Sequence, residues 1–208
     1  MKTKISLLLF SFLFGGKLFA QNEDDTIKET AKTITVLNYE MIEPEKLNSL
    51  FYKDSIMEID FDILSDQVGF RLRNETSKPI KVVWDDATLG IFNVSHKVMH
   101  SGIKYNDRNG SMAASTVLPG TILDDMMIPT DRVHYRKATV IGSSVIGGDW
   151  YTSPIYIGKI RLPKDQKKID ALTGEKLIVY LPIMDNAGKL NGYTFIFQIL
   201  GTIQIDSD

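Results

Sequence analysis

The chain has 208 residues, 24 basic and 26 acidic side chains, three histidines and no cysteine, and 43% of its residues are hydrophobic. Without cysteine neither a disulfide framework nor the modified N-terminal cysteine of a bacterial lipoprotein is possible. Nucleic-acid binding by phosphate neutralisation needs clustered Lys and Arg, and the densest stretch, 164–168, is interrupted by Asp165, which excludes that class of partner.

The N-terminus reads as an export signal. Lys2 and Lys4 precede an apolar run over 5–14, followed by Gly15, Gly16 and a stretch ending at Ala20, with polar Gln21 and Asn22 beyond. About ten apolar residues fall short of the roughly 20 that a membrane-spanning helix needs, and Leu7, Leu8, Leu9 and Phe10 are consecutive rather than striped as in an amphipathic helix. Residues 1–20 are therefore expected to be a cleaved signal peptide, leaving no membrane span in the mature form. Its removal takes away Lys2, Lys4 and Lys17 and leaves 188 residues with 21 basic and 26 acidic side chains, a mildly acidic chain of single-domain size. Residues 21–54 are expected to form an N-terminal lead-in, loose and polar as far as about Lys32. One short helix is predicted there, with Pro44 in the first turn and Leu47, Leu50 and Phe51 behind it.

From Ser55 onward the apolar period is two, the sheet signal. Met57, Ile59, Phe61 and Ile63 alternate with Glu58, Asp60 and Asp62; after a Ser65-Asp66-Gln67 turn, Val68, Phe70 and Leu72 alternate with Gly69, Arg71 and Arg73. A hairpin would set the arginines opposite the carboxylates on a wet face. A turn over 74–79 leads into a third strand carrying Ile80, Val82 and Trp84, with Trp84 as a core anchor. Further strands are predicted at 89–93, 96–100, 121–128, 132–136 and 155–162, and a second short helix at 164–172 before Gly174. The closing hairpin joins 176–183 to 193–205 across a turn-rich 185–192, with Leu177, Val179 and Leu181 facing Tyr193, Phe195 and Phe197. Many short strands without strand-helix-strand alternation predict an all-β fold with one or two short helices, and residues 55–208 are read as an immunoglobulin-like antiparallel β-sandwich.

No stretch carries a catalytic, metal or cofactor signature. His96 and His100 stand four apart, which in a strand places them on one face about 13 Å apart, too far to share a metal. Asp85 and Asp86, like Asp124 and Asp125, are adjacent; in a strand such doublets point to opposite faces and do not flank one bond. Asn106, Asp107, Asn109 and Gly110 echo the start of a calcium loop without its downstream glutamate, and a tight turn explains them equally. Gly142, Ser143, Ser144, Val145, Ile146 and Gly147 miss the nucleophile elbow because Ile146 stands where glycine is required, and read instead as a mobile loop leading to Trp150 and Tyr151. Those two aromatics are either a partner-facing pair or a buried plug.

The runs FRLRNETSKPIKVVWDDA, VSHKVMHSGIKY, IPTDRVHY and LPIMDNAGKLNGYTFIF, behind a leader ending LFAQN, together resemble a family of uncharacterised exported envelope proteins of bacteroidete type, over roughly residues 55–200. The resemblance implies an immunoglobulin-like sandwich in the periplasm or at the surface of a Gram-negative cell, and implies no activity. Within that setting Asp25-Thr26-Ile27 and Asp54-Ser55-Ile56 are similar to bacteroidete O-glycan acceptor strings, making Thr26 and Ser55 candidate acceptors. Asn74-Glu75-Thr76 and Asn93-Val94-Ser95 fit only the eukaryotic N-glycan pattern. The expected function is a non-enzymatic module binding another envelope protein or a glycan, or serving in assembly, with Trp150, Tyr151, His96, His100, Asp85 and Asp86 as binding candidates. The alternative is a hydrolase of an unfamiliar β fold that uses Asp85 or Asp86 with a histidine.

Overall fold

The structure, a computed structural model, describes residues 32–46 and 49–207. The expected leader, Thr26 and Leu47 lie outside the described residues. Strand β1 (Lys32–Glu43) comes first, and β2 (Phe51–Lys53) begins at the last residue of the predicted helix, whose described residues 44–46 and 49–50 are bends and coil. The lead-in is thus corrected from Lys32 onward: Met41 is fully buried, and Phe51 pairs with Asp60 instead of completing a helical stripe.

Strands β3 (Met57–Ile63) and β4 (Val68–Asn74) form the expected hairpin, with Met57, Ile59 and Phe61 buried, Glu58 opposite Arg73 and Asp60 opposite Arg71. The third strand is shorter than predicted. β5 (Ile80–Val82) ends before Trp84, which opens a 3-10 turn over Trp84–Asp86 and is buried completely. Asn74 explains the turn that precedes it. Its buried side-chain amide donates to the carbonyls of Lys78 (2.8 Å) and Val117 (2.9 Å), and its Oδ1 accepts the backbone N–H and hydroxyl of Thr76. The Asn74 sequon is therefore a structural staple.

Next come β6 (Thr88–Ile91), β7 (Val94–Met99), β8 (Ser115–Val117) and β9 (Ile122–Pro129), then the short strands β10 (Val133–Arg136), β11 (Thr139–Ile141), β12 (Ser144–Ile146) and β13 (Asp149–Thr152). The strand predicted at 155–162 does not form. Pro154, Gly158 and Pro163 punctuate it, and Ile155 and Ile160 are buried five residues apart rather than at a spacing of two. Helix α1 (Gln166–Leu172) fits the second predicted helix and buries Ile169 and Leu172. β14 (Lys176–Met184) and β15 (Leu190–Ser207) close the chain, with Leu177 opposite Phe197, Val179 opposite Phe195 and Leu181 opposite Tyr193, the expected register.

Eleven strands make one antiparallel sheet in the order β1-β15-β14-β6-β7-β9-β4-β3-β2, with β5 and β8 attached at β14. β7 and β9 share only two residue pairs, Val98 with Pro129 and Met99 with Ile128. There the sheet curls, so that its two halves face each other. Phe61 of β3 meets the rings of Phe195 and Phe197 of β15 edge-on at 4.8 and 5.1 Å, although these strands are not neighbours in the sheet. Apolar side chains at alternate positions of both halves fill the space between them, and the core runs from Met57 and Phe61 through Trp84 to Phe197.

Candidate functional site

The candidate binding residues do not form one site. His96 lies on β7 and its Nδ1 is 2.9 Å from Asp131 Oδ2, whereas His100, just past the end of that strand, lies 3.2 Å from Asp125 Oδ2. Each histidine thus takes its own aspartate. The imidazole of His100 also stacks on Trp84, with centroids 4.3 Å apart and planes 4° apart, while Asp125 Oδ1 accepts the N–H groups of Ser101 and Met126. Trp84 Nε1 donates to Ser115 Oγ at 2.8 Å. Buried polar groups in this cluster are paired with one another, an arrangement that locks the turn against the core.

Asp85 lies apart from the histidines. Its carboxylate accepts the hydroxyl of Ser111 and the N–H of Met112 (2.8 Å), and these bonds, the hydroxyl first, hold its pKa below the ordinary carboxylate value. Asp86 is exposed. Asp124 faces Arg71 on the wet side while Asp125 is buried, so that doublet points to opposite faces as expected. His134 Nε2 is 3.3 Å from Ser153 Oγ, but no carboxylate among the described residues is bonded to His134. The turn at 105–110 is held by Lys97, whose ammonium donates to the carbonyls of Asn109 and Gly110, so a cationic side chain occupies oxygens a calcium ion would need. Ser55 is exposed in a turn ordered by Asp54, whose Oδ1 accepts the N–H groups of Ile56 and Met57.

Trp150 and Tyr151 lie on a strand, in contrast to the loop predicted for them. β13 pairs with β10, placing Trp150 opposite Tyr135 and Tyr151 opposite His134, and Arg136 grips Asp149 through Nε (3.1 Å) and Nη2 (2.8 Å). That bidentate pair lowers the pKa of the Asp149 carboxyl. The two aromatics face different ways. Trp150 packs on Tyr105 and Tyr135 with the Arg108 guanidinium 5.2 Å above its ring, which ties the strand to the body, whereas Tyr151 is exposed.

The same two strands continue outward as a second short ladder. β11 and β12 pair through Val140 with Val145, and a two-residue Gly142-Ser143 loop joins them. Gly142 has φ +63° and Ser143 is not in the left-handed region, the pattern of a type II′ hairpin turn. Between the two ladders Gly147 adopts φ +85°, and a Cβ there would stand 2.5 Å from the Lys137 carbonyl oxygen, so only glycine fits.

Along this ribbon, Val140 is 70% exposed, Val145 69%, Ile141 62% and Ile146 50%. Paired residues share a face, so Val140 and Val145 make one side apolar, while Ile141 and Ile146 lie on the other side, paired with Ser144 and Thr139. Sequence reading missed this element because the glycines dominated the stretch. The available signal was two triplets rich in β-branched residues, Thr139-Val140-Ile141 and Ser144-Val145-Ile146, flanking Gly-Ser.

A cleft of about 510 Å³ opens elsewhere on the same domain, between β1, the β3–β4 turn and the chain at 156–160. Tyr39 and Tyr156 contribute to its lining, and burial raises the pKa of both phenols above the ordinary tyrosine value. Tyr156 donates its proton to the Lys176 carbonyl at 2.7 Å. Compared with known proteins, the chain matches no family model, no curated protein sequence and no solved structure.

Proposed function

We propose that this chain is an exported, non-enzymatic, immunoglobulin-like module of the Gram-negative envelope that binds another protein, and that the β10–β13 ribbon is its contact element. The observation that carries this reading is the exposure of four branched aliphatic side chains on both faces of a two-stranded arm. Single exposed apolar residues are ordinary, but a contiguous cluster on a projecting element marks an interaction surface. β11 and β12 bury no side chain, whereas the base of the arm is seated by Val133, which is buried in the core, and braced by Trp150, Arg108 and the Arg136–Asp149 pair. A braced arm loses little conformational freedom on binding. A protein fits better than a glycan, because the side chains that stand furthest into water on the tip include four branched aliphatics, which gain from apolar burial and not from sugar hydroxyls. Export is supported by the leader-like residues 1–20.

The test is photocrosslinking in the native envelope from a probe in place of Val140, with a control probe at exposed Lys81. Protein adducts formed from position 140 and not from position 81 are expected. An absence of adducts specific to position 140 would overturn the reading.

A further inference from the structure

The ribbon and the cleft are complementary. We infer that the ribbon tip of one copy occupies the cleft of a second copy of this chain, an inference that rests on the ribbon being the contact element.

An arm with exposed aliphatic side chains on one face can lie flat on a partner, but an arm with such side chains on both faces leaves one set wet unless it enters a groove. Val140 and Val145 lie on one face here, and Ile141 and Ile146 on the other beside Thr139 and Ser144. The groove on this domain has matching chemistry, lined by Ile34, Val36, Ile63, Leu64, Ile157 and Ile160. Its volume of about 510 Å³ falls in the range of roughly 300–1,000 Å³ typical of ligand-sized cavities. The inserting element is slender. Two strands about 4.8 Å apart end in a two-residue turn, and three paired residues extend it by about 10 Å.

Charge agrees with this fit. Arg136 is committed to Asp149 at the base of the arm, whereas Lys137, next to the tip, makes no ion pair among the described residues. The cleft lining includes two acids, Asp62 and Asp66, against one base, Lys159. Insertion would therefore bring a free ammonium towards a net negative rim, which favours the correct register over tip-to-tip contact between like charges.

The arm does not fill the cleft of its own molecule, because its tip side chains are exposed in the same structure in which no described residue fills the cleft. The ribbon and the cleft wall are nonetheless consecutive. Residues 153–155 leave β13, the Ile155 N–H donates to the Ser65 carbonyl (2.6 Å), and Tyr156 and Ile157 then line the cleft. Tip and cleft are different surfaces, so one insertion is a heterologous contact; two molecules inserting into each other close it as a symmetric pair.

The experiment is sedimentation analysis of the purified protein, of the double variant Val140→Asp/Val145→Asp, of the cleft variant Leu64→Asp, and of an equimolar mixture of the two variants. All three sites are exposed, which spares the core, and circular dichroism with thermal unfolding checks that each variant is folded. The wild type is expected to self-associate in a concentration-dependent way. Each variant alone is expected to associate at least tenfold more weakly, and the mixture to regain a heterodimer, since one member keeps a working cleft and the other a working tip. Wild type that stays monomeric at roughly 100 µM, where even weak specific pairs form, would overturn the inference. So would Leu64→Asp protein that pairs as well as wild type. If the purified chain is monomeric while the position 140 probe captures a different protein, the self-insertion falls and the binding role of the ribbon stands. If the probe captures nothing, both fall.

Discussion

Asp85 was read from the sequence as half of an acid doublet, and its geometry assigns it a structural task. The carboxylate fastens the 111–112 segment to the turn that buries Trp84, and the bonds that do so lower its pKa. A carboxyl whose pKa is lower in the folded than in the unfolded chain contributes stability above its unfolded value, about 3.9, and loses that contribution as pH falls through the folded value. Below about pH 4 the melting temperature of the wild type is therefore expected to fall more steeply than that of Asp85→Asn. Thermal unfolding at a series of acidic pH values checks this, and parallel curves would contradict it. The other aspartate pairings were invisible in the sequence for a simple reason. His96 and Asp131 are 35 residues apart, and His100 and Asp125 are 25 apart, so only the β7–β9 register brings them together.

At the scale of elements, legibility followed the integrity of the two-residue period. β3 and β4 alternate without interruption, and both their register and their wet face could be read directly. β1 could not, because its ladder with β15 shifts between Asn38 and Tyr39 and again between Met41 and Glu43, so the apolar positions change phase along the strand. The outer part of the ribbon was hidden differently: β10 falls within the strand predicted at 132–136, but β11 and β12 are held by cross-strand bonds and not by burial, so no core-facing alternation marks them, and the glycines that shape the ribbon read as loop. Gly147 shows how local that shaping is. Gly147→Ala forces a Cβ against the Lys137 carbonyl at a positive φ, which costs more than the roughly 0.4–1 kcal/mol of an ordinary glycine effect. Hydrogen exchange is expected to show the Gly148 amide, bonded to the Arg136 carbonyl at 2.7 Å, losing protection while β14 and β15 keep theirs. Unchanged protection at Gly148 would mean that the junction tolerates a side chain.

Across the whole molecule, the all-β class and the closing hairpin were accessible from sequence, while the curl of the sheet was not. Local alternation says which face of a strand is buried; it does not say that β3 will lie across β15. That contact depends on the short β7–β9 junction and on three phenylalanines meeting between layers. Phe61→Ala is therefore expected to cost about 3–5 kcal/mol in urea unfolding, the range for a buried aromatic that serves both halves of a core. A loss below about 1 kcal/mol would show that the halves do not share one.

The natural absence of cysteine permits a direct measurement on the ribbon. A single Val145→Cys substitution introduces the chain's sole thiol at a position 69% exposed in the isolated domain. With a water-soluble maleimide, dilute purified protein is expected to be labelled as fast as its urea-unfolded form, and the same protein in the intact envelope to be strongly protected because the arm is inserted into a partner. Equally fast labelling in the envelope would leave the ribbon in water and contradict its role as the contact element.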